Sequence, residues 1–206
     1  MCDYLRLSSP RIKQKHKVIL NCISENKEEN KIKEGFFTGR CHRFPPSKFN
    51  INSLVFLDSL KIKGHTHYLA GTDNNEIERY IRKNSNTCVN YLGKIDDRSK
   101  KQKMLKSLDV YFYDTYGPEG ASVAILEALS SGVPVLCKPI GGNKELVKDG
   151  VNGFYYNCFS EAKKILLELS SNKKKLEEMK LKTHEDFKNR LSINVCVSKY
   201  RELFDE

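Results

Sequence analysis

Short β-prone runs recur between longer segments of helical period, and this alternation restricts the fold more than any other feature of the 206-residue chain. Phe36–Thr38, His67–Ala70, Val89–Leu92, Val110–Tyr113 and Val133–Cys137 read as strands, with a shorter one near Phe154–Tyr156. Between them apolar residues fall on one helical face: Ile51, Leu54, Leu57 and Leu60; Ile77, Tyr80 and Ile81; Met104, Leu105 and Leu108; and the run Ser122–Ser131. Strands separated by helical crossovers pair in parallel, so the pattern predicts an α/β fold with a Rossmann-like doubly wound parallel sheet. After Tyr156 the pattern is helical throughout. Ala162, Ile165, Leu166 and Leu169 keep the spacing of one buried face, and further helices carry Leu176, Met179 and Phe187, then Val197, Tyr200 and Phe204.

A chain of this length buries one sizeable core, not two complete Rossmann-like halves. Its N-terminal stretch differs from the rest: residues 1–17 are polar and basic, Val18–Ile23 is a short apolar strand-like run, and Ser24–Glu34 is charged and reads as a linker. The formal charge of +10 admits an anionic partner, yet the lysines are scattered over the predicted helices without interleaved aromatics, which argues against nucleic acid. Seven dispersed cysteines contain no C-x-x-C pair and suit reduced thiols. The absence of a long apolar run or a secretory leader pattern predicts a cytoplasmic protein with at most peripheral contact at the cytoplasmic membrane face.

The segment Glu119–Gly142, EGASVAILEALSSGVPVLCKPIGG, carries the chemistry. Glu119 precedes a helix and Glu127 lies about two turns into it, so both carboxylates can face one crevice at the carboxyl end of the sheet. The amides of Gly120, Ala121, Ser122 and Val123 open that helix, where unpaired N–H groups favour phosphate. Carboxylates that accept from sugar hydroxyls beside amides that donate to phosphate suit a nucleotide sugar. As an isolated pair, the two glutamates would read more simply as a helix-start contact and a solvated side chain.

The flanking residues decide between these readings. The segment resembles the E-x(7)-E signature of the retaining glycosyltransferases of family four, which have the two-domain GT-B fold, and the likeness continues through EALSSGVPVLCKPIGGNKELVKDGVNGF. Phe37-Thr38-Gly39-Arg40 resembles the family's G-R turn after the first strand of its donor domain. Leu69-Ala70-Gly71-Thr72 resembles its G-x-G turn and Tyr91-Leu92-Gly93-Lys94-Ile95 its F-L-G-x-V strand end. Ser107-Leu108-Asp109-Val110 is similar to A-D-V, Tyr200–Phe204 to the closing helix, and Lys17–Ile23 to the strand that ends the acceptor-side domain.

The resemblance implies a division into residues 1–23 as a remnant of that acceptor-side domain, 24–34 as linker, 35–190 as the nucleotide-sugar-binding domain and 191–206 as the closing helix. It implies a glycosyltransferase that moves a hexose from a nucleoside diphosphate sugar to a glycan or lipid-linked acceptor with retention, as in polysaccharide biosynthesis. A separate acceptor-binding domain or subunit would complete the cleft. The alternative is a non-catalytic nucleotide-sugar-binding module, a truncated remnant or one subunit of a split enzyme.

On this resemblance Glu127 would bind the ribose hydroxyls and Glu119 those of the donor sugar at the reacting centre. The amides of Gly120, Ala121, Ser122 and Val123 would hold the sugar and diphosphate, and the main chain at Lys94 and Ile95 the base. Gly39 and Arg40 would border the diphosphate, with Arg40 offsetting its charge as it leaves, so no metal or cofactor is expected. Ala121-Ser122 stand where the family has Phe-Gly. The family's Lys five residues after the Arg is replaced by Pro45, which leaves Lys48, or Arg43, to take its place on a longer loop. None of the five histidines is assigned a catalytic role, and Cys137 reads as a small buried hydrophobe.

Overall fold

The computed structural model describes residues 19–28, 34–42, 48–72, 74–117 and 119–204. The expectations for residues 1–18, for residues 29–33 of the linker and for Arg43 and Pro45 lie outside them. Six strands form one parallel sheet: β1 (Phe36–Cys41), β2 (His65–Ala70), β3 (Val89–Gly93), β4 (Val110–Tyr113), β5 (Val135–Cys137) and β6 (Gly153–Tyr155), in the order β3-β2-β1-β4-β5-β6. This is the doubly wound arrangement, with the chain changing direction across the sheet between β1 and β4.

Eight helices complete the described chain: α1 (Asn52–Ser59), α2 (Asn75–Lys83), α3 (Arg98–Lys106), α4 (Val123–Ser130), α5 (Asn143–Leu146), α6 (Phe159–Ser171), α7 (Lys173–Asp186) and α8 (Ile193–Phe204). Side chains alternate across a strand, so β4 supplies both halves of the core. Val110 and Phe112 join Leu54, Leu57, Leu136, Leu166 and Leu169 under α1 and α6. Tyr111 and Tyr113 join Leu105, Ile125, Leu129, Val135 and Phe187 under α3 and α4. Burial on both faces explains why β4 and β5 read as unbroken apolar or aromatic runs.

Three helix starts follow from local chemistry. Asn74 accepts from the backbone N–H groups of Glu76 and Ile77, Asp97 from that of Lys100, and Asn172 from that of Lys175. The short helix α5 and a π-helical turn at Phe187–Leu191 were not expected from periodicity. In that turn Phe187, expected to continue the face of Leu176 and Met179, instead inserts with Leu191 into the core beside α4.

One expectation changes at the N-terminal side. Among residues 19–23 there is no strand, only a bridge from Ile23 to Ser192. The next residues are held against the domain. Asn26 is 2% exposed, and its side chain donates to the carbonyl of Gln102 on α3 (2.9 Å) and to Ser131 Oγ after α4 (2.8 Å). Glu28 accepts from Ser99 Oγ at 2.8 Å. No helix among the described residues is long and apolar enough to cross a membrane.

Candidate functional site

The strand order reverses between β1 and β4, and Arg40, Lys48 and Glu119 come together at the carboxyl ends of these strands. Glu119 is 4% exposed. Its Oε1 accepts from Tyr113 Oη at 3.1 Å and Thr115 Oγ1 at 3.4 Å, and it pairs with Lys48 Nζ at 3.0 Å. Lys48, one of the two cations the sequence offered for this loop, thus lies beside Glu119. Tyr113 was not foreseen. As the last residue of β4, on the face opposite Phe112, it points toward the loop that carries Glu119, and the alternation in Val-Tyr-Phe-Tyr was the signal that could have found it.

The strand boundary at Arg40 departs from expectation. The predicted β1 stopped at Thr38, with Gly39-Arg40 in a turn, whereas the strand continues to Cys41 and Gly39 pairs in register with Tyr68 and Tyr111. A Cβ at Gly39 would lie 2.8 Å from Leu108 Cδ2 and from the Tyr68 carbonyl, so glycine is required there by packing between strands. Arg40 is 2% exposed, donates to the carbonyls of Asp114 and Lys48, and lies 4.8 Å over the Tyr113 ring. Two of its N–H donors therefore hold backbone, one of them at Lys48, while its Nε has no protein partner; the Lys48 side chain is 32% exposed.

Beneath them Asp114, fully buried, accepts from Ser53 Oγ (2.6 Å) and Tyr156 Oη (2.6 Å) and pairs with Lys138 Nζ (2.9 Å). Burial pushes its carboxyl up, but hydrogen bonds from Ser53, Tyr156, Tyr116 and Lys138 outweigh burial and hold it below the usual range. Lys138 Nζ also lies 3.7 Å over the Tyr116 ring. This ionised floor ties α1, β4, β5 and β6 together under the crevice.

The loop before α4 is shaped by two glycines. Gly141 has φ +53°, and a Cβ there would lie 2.1 Å from the Glu119 carbonyl, while one at Gly142 would lie 2.6 Å from the amide nitrogen of Ala121. The Gly142 N–H donates to the Glu119 carbonyl at 2.9 Å, so the Gly-Gly turn supports the acidic loop directly. Gly120 and Val123 are exposed, Ala121 half-buried and Ser122 buried. Ser122 makes no side-chain cap on α4 and donates instead to Tyr113 Oη at 3.3 Å, which leaves the first-turn N–H groups without a capping side chain.

Glu127 lies further along α4 in a cleft of about 420 Å³, lined also by Ile23, Ile95, Asp96, Asp97, Arg98 and Lys101. Lys101 of α3 donates to its carboxylate. Lys94, 64% exposed, turns to Asp96 at 2.8 Å, whereas Ile95 faces the cleft. The structure thus separates the site into an inner station at Glu119 and Lys48 and an outer one at Glu127 and Lys101. Sequence reasoning missed Lys101 because only the turn after β3 and the phase of α3 bring it opposite Glu127. No group of three or more His, Cys, Asp or Glu able to hold a metal occurs among the described residues.

The family model for glycosyl transferases group 1 matches residues 50–186, which include both glutamates, the Gly-Gly turn and the helices that enclose the cleft. The chain belongs to the glycosyl transferases group 1 family. A glycosyltransferase of Methanocaldococcus jannaschii described as uncharacterised is 25% identical over 195 residues, covering 86% of this chain and 48% of that one. Among solved structures, this group 1 chain is similar to Anabaena HepE in complex with UDP, with TM-score 0.67 and 21% identity over 83% of this chain and 49% of that one. It is also similar to the C-terminal domain of a group 1 glycosyltransferase, LpcC, from Francisella tularensis, with TM-score 0.65 and 17% identity over 77% of this chain and 87% of that domain. This group 1 chain therefore spans about half of the archaeal relative and of HepE, and most of the isolated C-terminal domain. The structural likeness establishes the sheet as one half of a GT-B fold.

Proposed function

We propose that this chain is the donor-binding half of a retaining glycosyltransferase that moves a hexose from a nucleoside diphosphate sugar to a glycan or lipid-linked acceptor. The observation that carries the reading is the pair of carboxylate–lysine contacts, Glu119 with Lys48 before α4 and Glu127 with Lys101 along it, on either side of the uncapped start of that helix. The ribose reaches Glu127, the base lies against the main chain at Lys94 and Ile95, and the diphosphate meets the amides of Gly120, Ala121, Ser122 and Val123. Glu119 accepts from the donor sugar's hydroxyls. Lys48 offsets charge on the leaving diphosphate, and Arg40 supports it from β1, so protein cations replace a metal. HepE was solved with UDP and with UDP-glucose, which makes uridine the first base to test.

A second reading, a nucleotide-sugar-binding module or subunit that acts only with an acceptor-side partner, draws support from α8. Ile193, Val197, Tyr200 and Phe204 recur at helical spacing along it and are all exposed, Phe204 to 86%. In this reading the acceptor-side domain covers that stripe. Calorimetric titration of the chain with UDP, GDP and ADP and their hexose conjugates tests donor binding: one of them binds at micromolar to millimolar strength and Glu127→Ala weakens it. Adding a homologous acceptor-side domain then separates the two readings, because an enzyme half yields transfer or donor hydrolysis and a binding module yields neither. A folded chain that binds none of the nucleotides refutes both.

A further inference from the structure

We infer that Lys101 is a ribose-reading residue: together with Glu127 it forms a two-sided clamp for the vicinal hydroxyls of the donor nucleotide. The inference rests on the donor-site reading above and adds a specificity-determining residue to it. The Lys101–Glu127 pair lies inside a concave cleft rather than on a convex surface, with Lys101 27% and Glu127 18% exposed. It adjoins the carboxyl end of β1, where both charges act on the Cys41 thiol.

Its hydrogen-bond inventory is unspent. An ammonium has three N–H donors, and Lys101 uses one on Glu127 Oε1; a carboxylate accepts at about four lone-pair positions. Each hydroxyl of a ribose diol both donates and accepts. A carboxylate alone satisfies only the donating side, whereas a carboxylate beside an ammonium satisfies both. A 2′,3′-dideoxynucleotide leaves a half-buried ion pair facing apolar sugar carbon, so the clamp rejects it. The pair is also built to stay in place, because Asp97 caps α3 at Lys100 and Asn26 bridges Gln102 to Ser131 across the α3–α4 seam.

The test is calorimetric titration of the full chain with UDP, GDP and ADP, then with the 2′,3′-dideoxy form of the tightest binder, in wild type, Lys101→Met and Lys101→Arg. Circular dichroism checks that each variant is folded. A hydrogen bond to a charged group is worth about tenfold or more in affinity. Lys101→Met should therefore cut the preference for the ribo over the dideoxy form by about tenfold, with dideoxy affinity unchanged to within about twofold, and Lys101→Arg should retain most of the preference. An unchanged preference overturns the inference. So does tighter ribonucleotide binding by Lys101→Met, which would mean that the lysine blocks Glu127, and so does an equal loss for both forms, which would place it on the phosphates. If wild type binds none of the three diphosphates, the donor-site reading fails and the clamp fails with it.

Discussion

Acidification should destabilise this protein from within its sheet well before its carboxylates begin to titrate. Thr38 Oγ1, in the middle of β1, lies 2.8 Å from both His65 Nε2 and His67 Nδ1 on β2. Burial is the main cause that depresses both pKa values, from 6.5 to about 4 for His65 and to about 3 for His67; His65 and Arg40 depress His67 further, and Asp58 opposes the shift at both. The folded state keeps both rings neutral while the unfolded chain protonates them near 6.5, so below that pH the unfolded state binds more protons. Their contribution is complete above about pH 7.5 and is lost as pH falls through 6.5 toward the folded values. At pH 5, still above both folded values, each histidine costs about 2 kcal/mol relative to pH 7.5, from about 1.36 kcal/mol per pH unit. The depressed carboxyls of Asp58, Asp114 and Asp186 act below about pH 4, outside this window. His184, a third exposed, shifts in the same direction as the two buried rings. Urea unfolding followed by far-ultraviolet circular dichroism at pH 7.5, 6.5 and 5 measures the effect. His67→Gln should remove about 2 kcal/mol of the difference between pH 7.5 and pH 5. A wild-type stability flat to within about 0.5 kcal/mol over that range, or a pH profile unchanged by the substitution, refutes the reasoning.

Three other outcomes are expected. Glu119→Gln removes the negative partner of Lys48 and the acceptor for sugar hydroxyls, so transfer by the chain combined with an acceptor-side domain should fall by about tenfold to a hundredfold, while UDP affinity changes by less than about threefold; steady-state kinetics beside calorimetry separate the two. Gly141→Ala places a Cβ against the Glu119 carbonyl in a left-handed conformation. Its unfolding free energy should drop by about 2 kcal/mol or more, with a loss of nucleotide affinity in the fraction that remains folded. Asn26→Ala strips buried hydrogen bonds from the α3–α4 seam, and chemical denaturation should register a loss of about 1 to 3 kcal/mol, whereas a loss below about 0.5 would mean that the segment is not held by this residue.

The sheet was legible in the sequence because its strands are buried on both faces and its helices on one, so period and composition agree at every crossover. The six strands lie where they were expected, with β1 extending three residues further. That extension was hidden by chemistry: glycine and arginine are poor strand signals, and only the close approach of Leu108 and the carbonyls of Asp114 and Lys48 explain why a buried strand end holds both. The π-helical turn was hidden for a related reason, since it is fixed by where Phe187 and Leu191 reach the core and not by the residues between them.

The candidate site divides along the same line. Glu119 and Glu127 share one loop-helix segment, so their spacing together with the flanking motif suggested a common site. Lys101, Tyr113 and Asp114 come from two other parts of the chain and meet them only through the fold. Residues supplied by one segment can be read from a motif; residues supplied by the fold require the topology. Arg40 carries this distinction into function. As a motif residue it resembles the cation that meets the diphosphate; in the structure its guanidinium lies over Tyr113 and spends two of its five N–H donors on carbonyls, while Nε has no protein partner. An arginine in that position holds the backbone of Lys48 from β1. Loss of Arg40 should therefore act on the crevice through Lys48 and Glu119 together, not as the removal of one isolated charge.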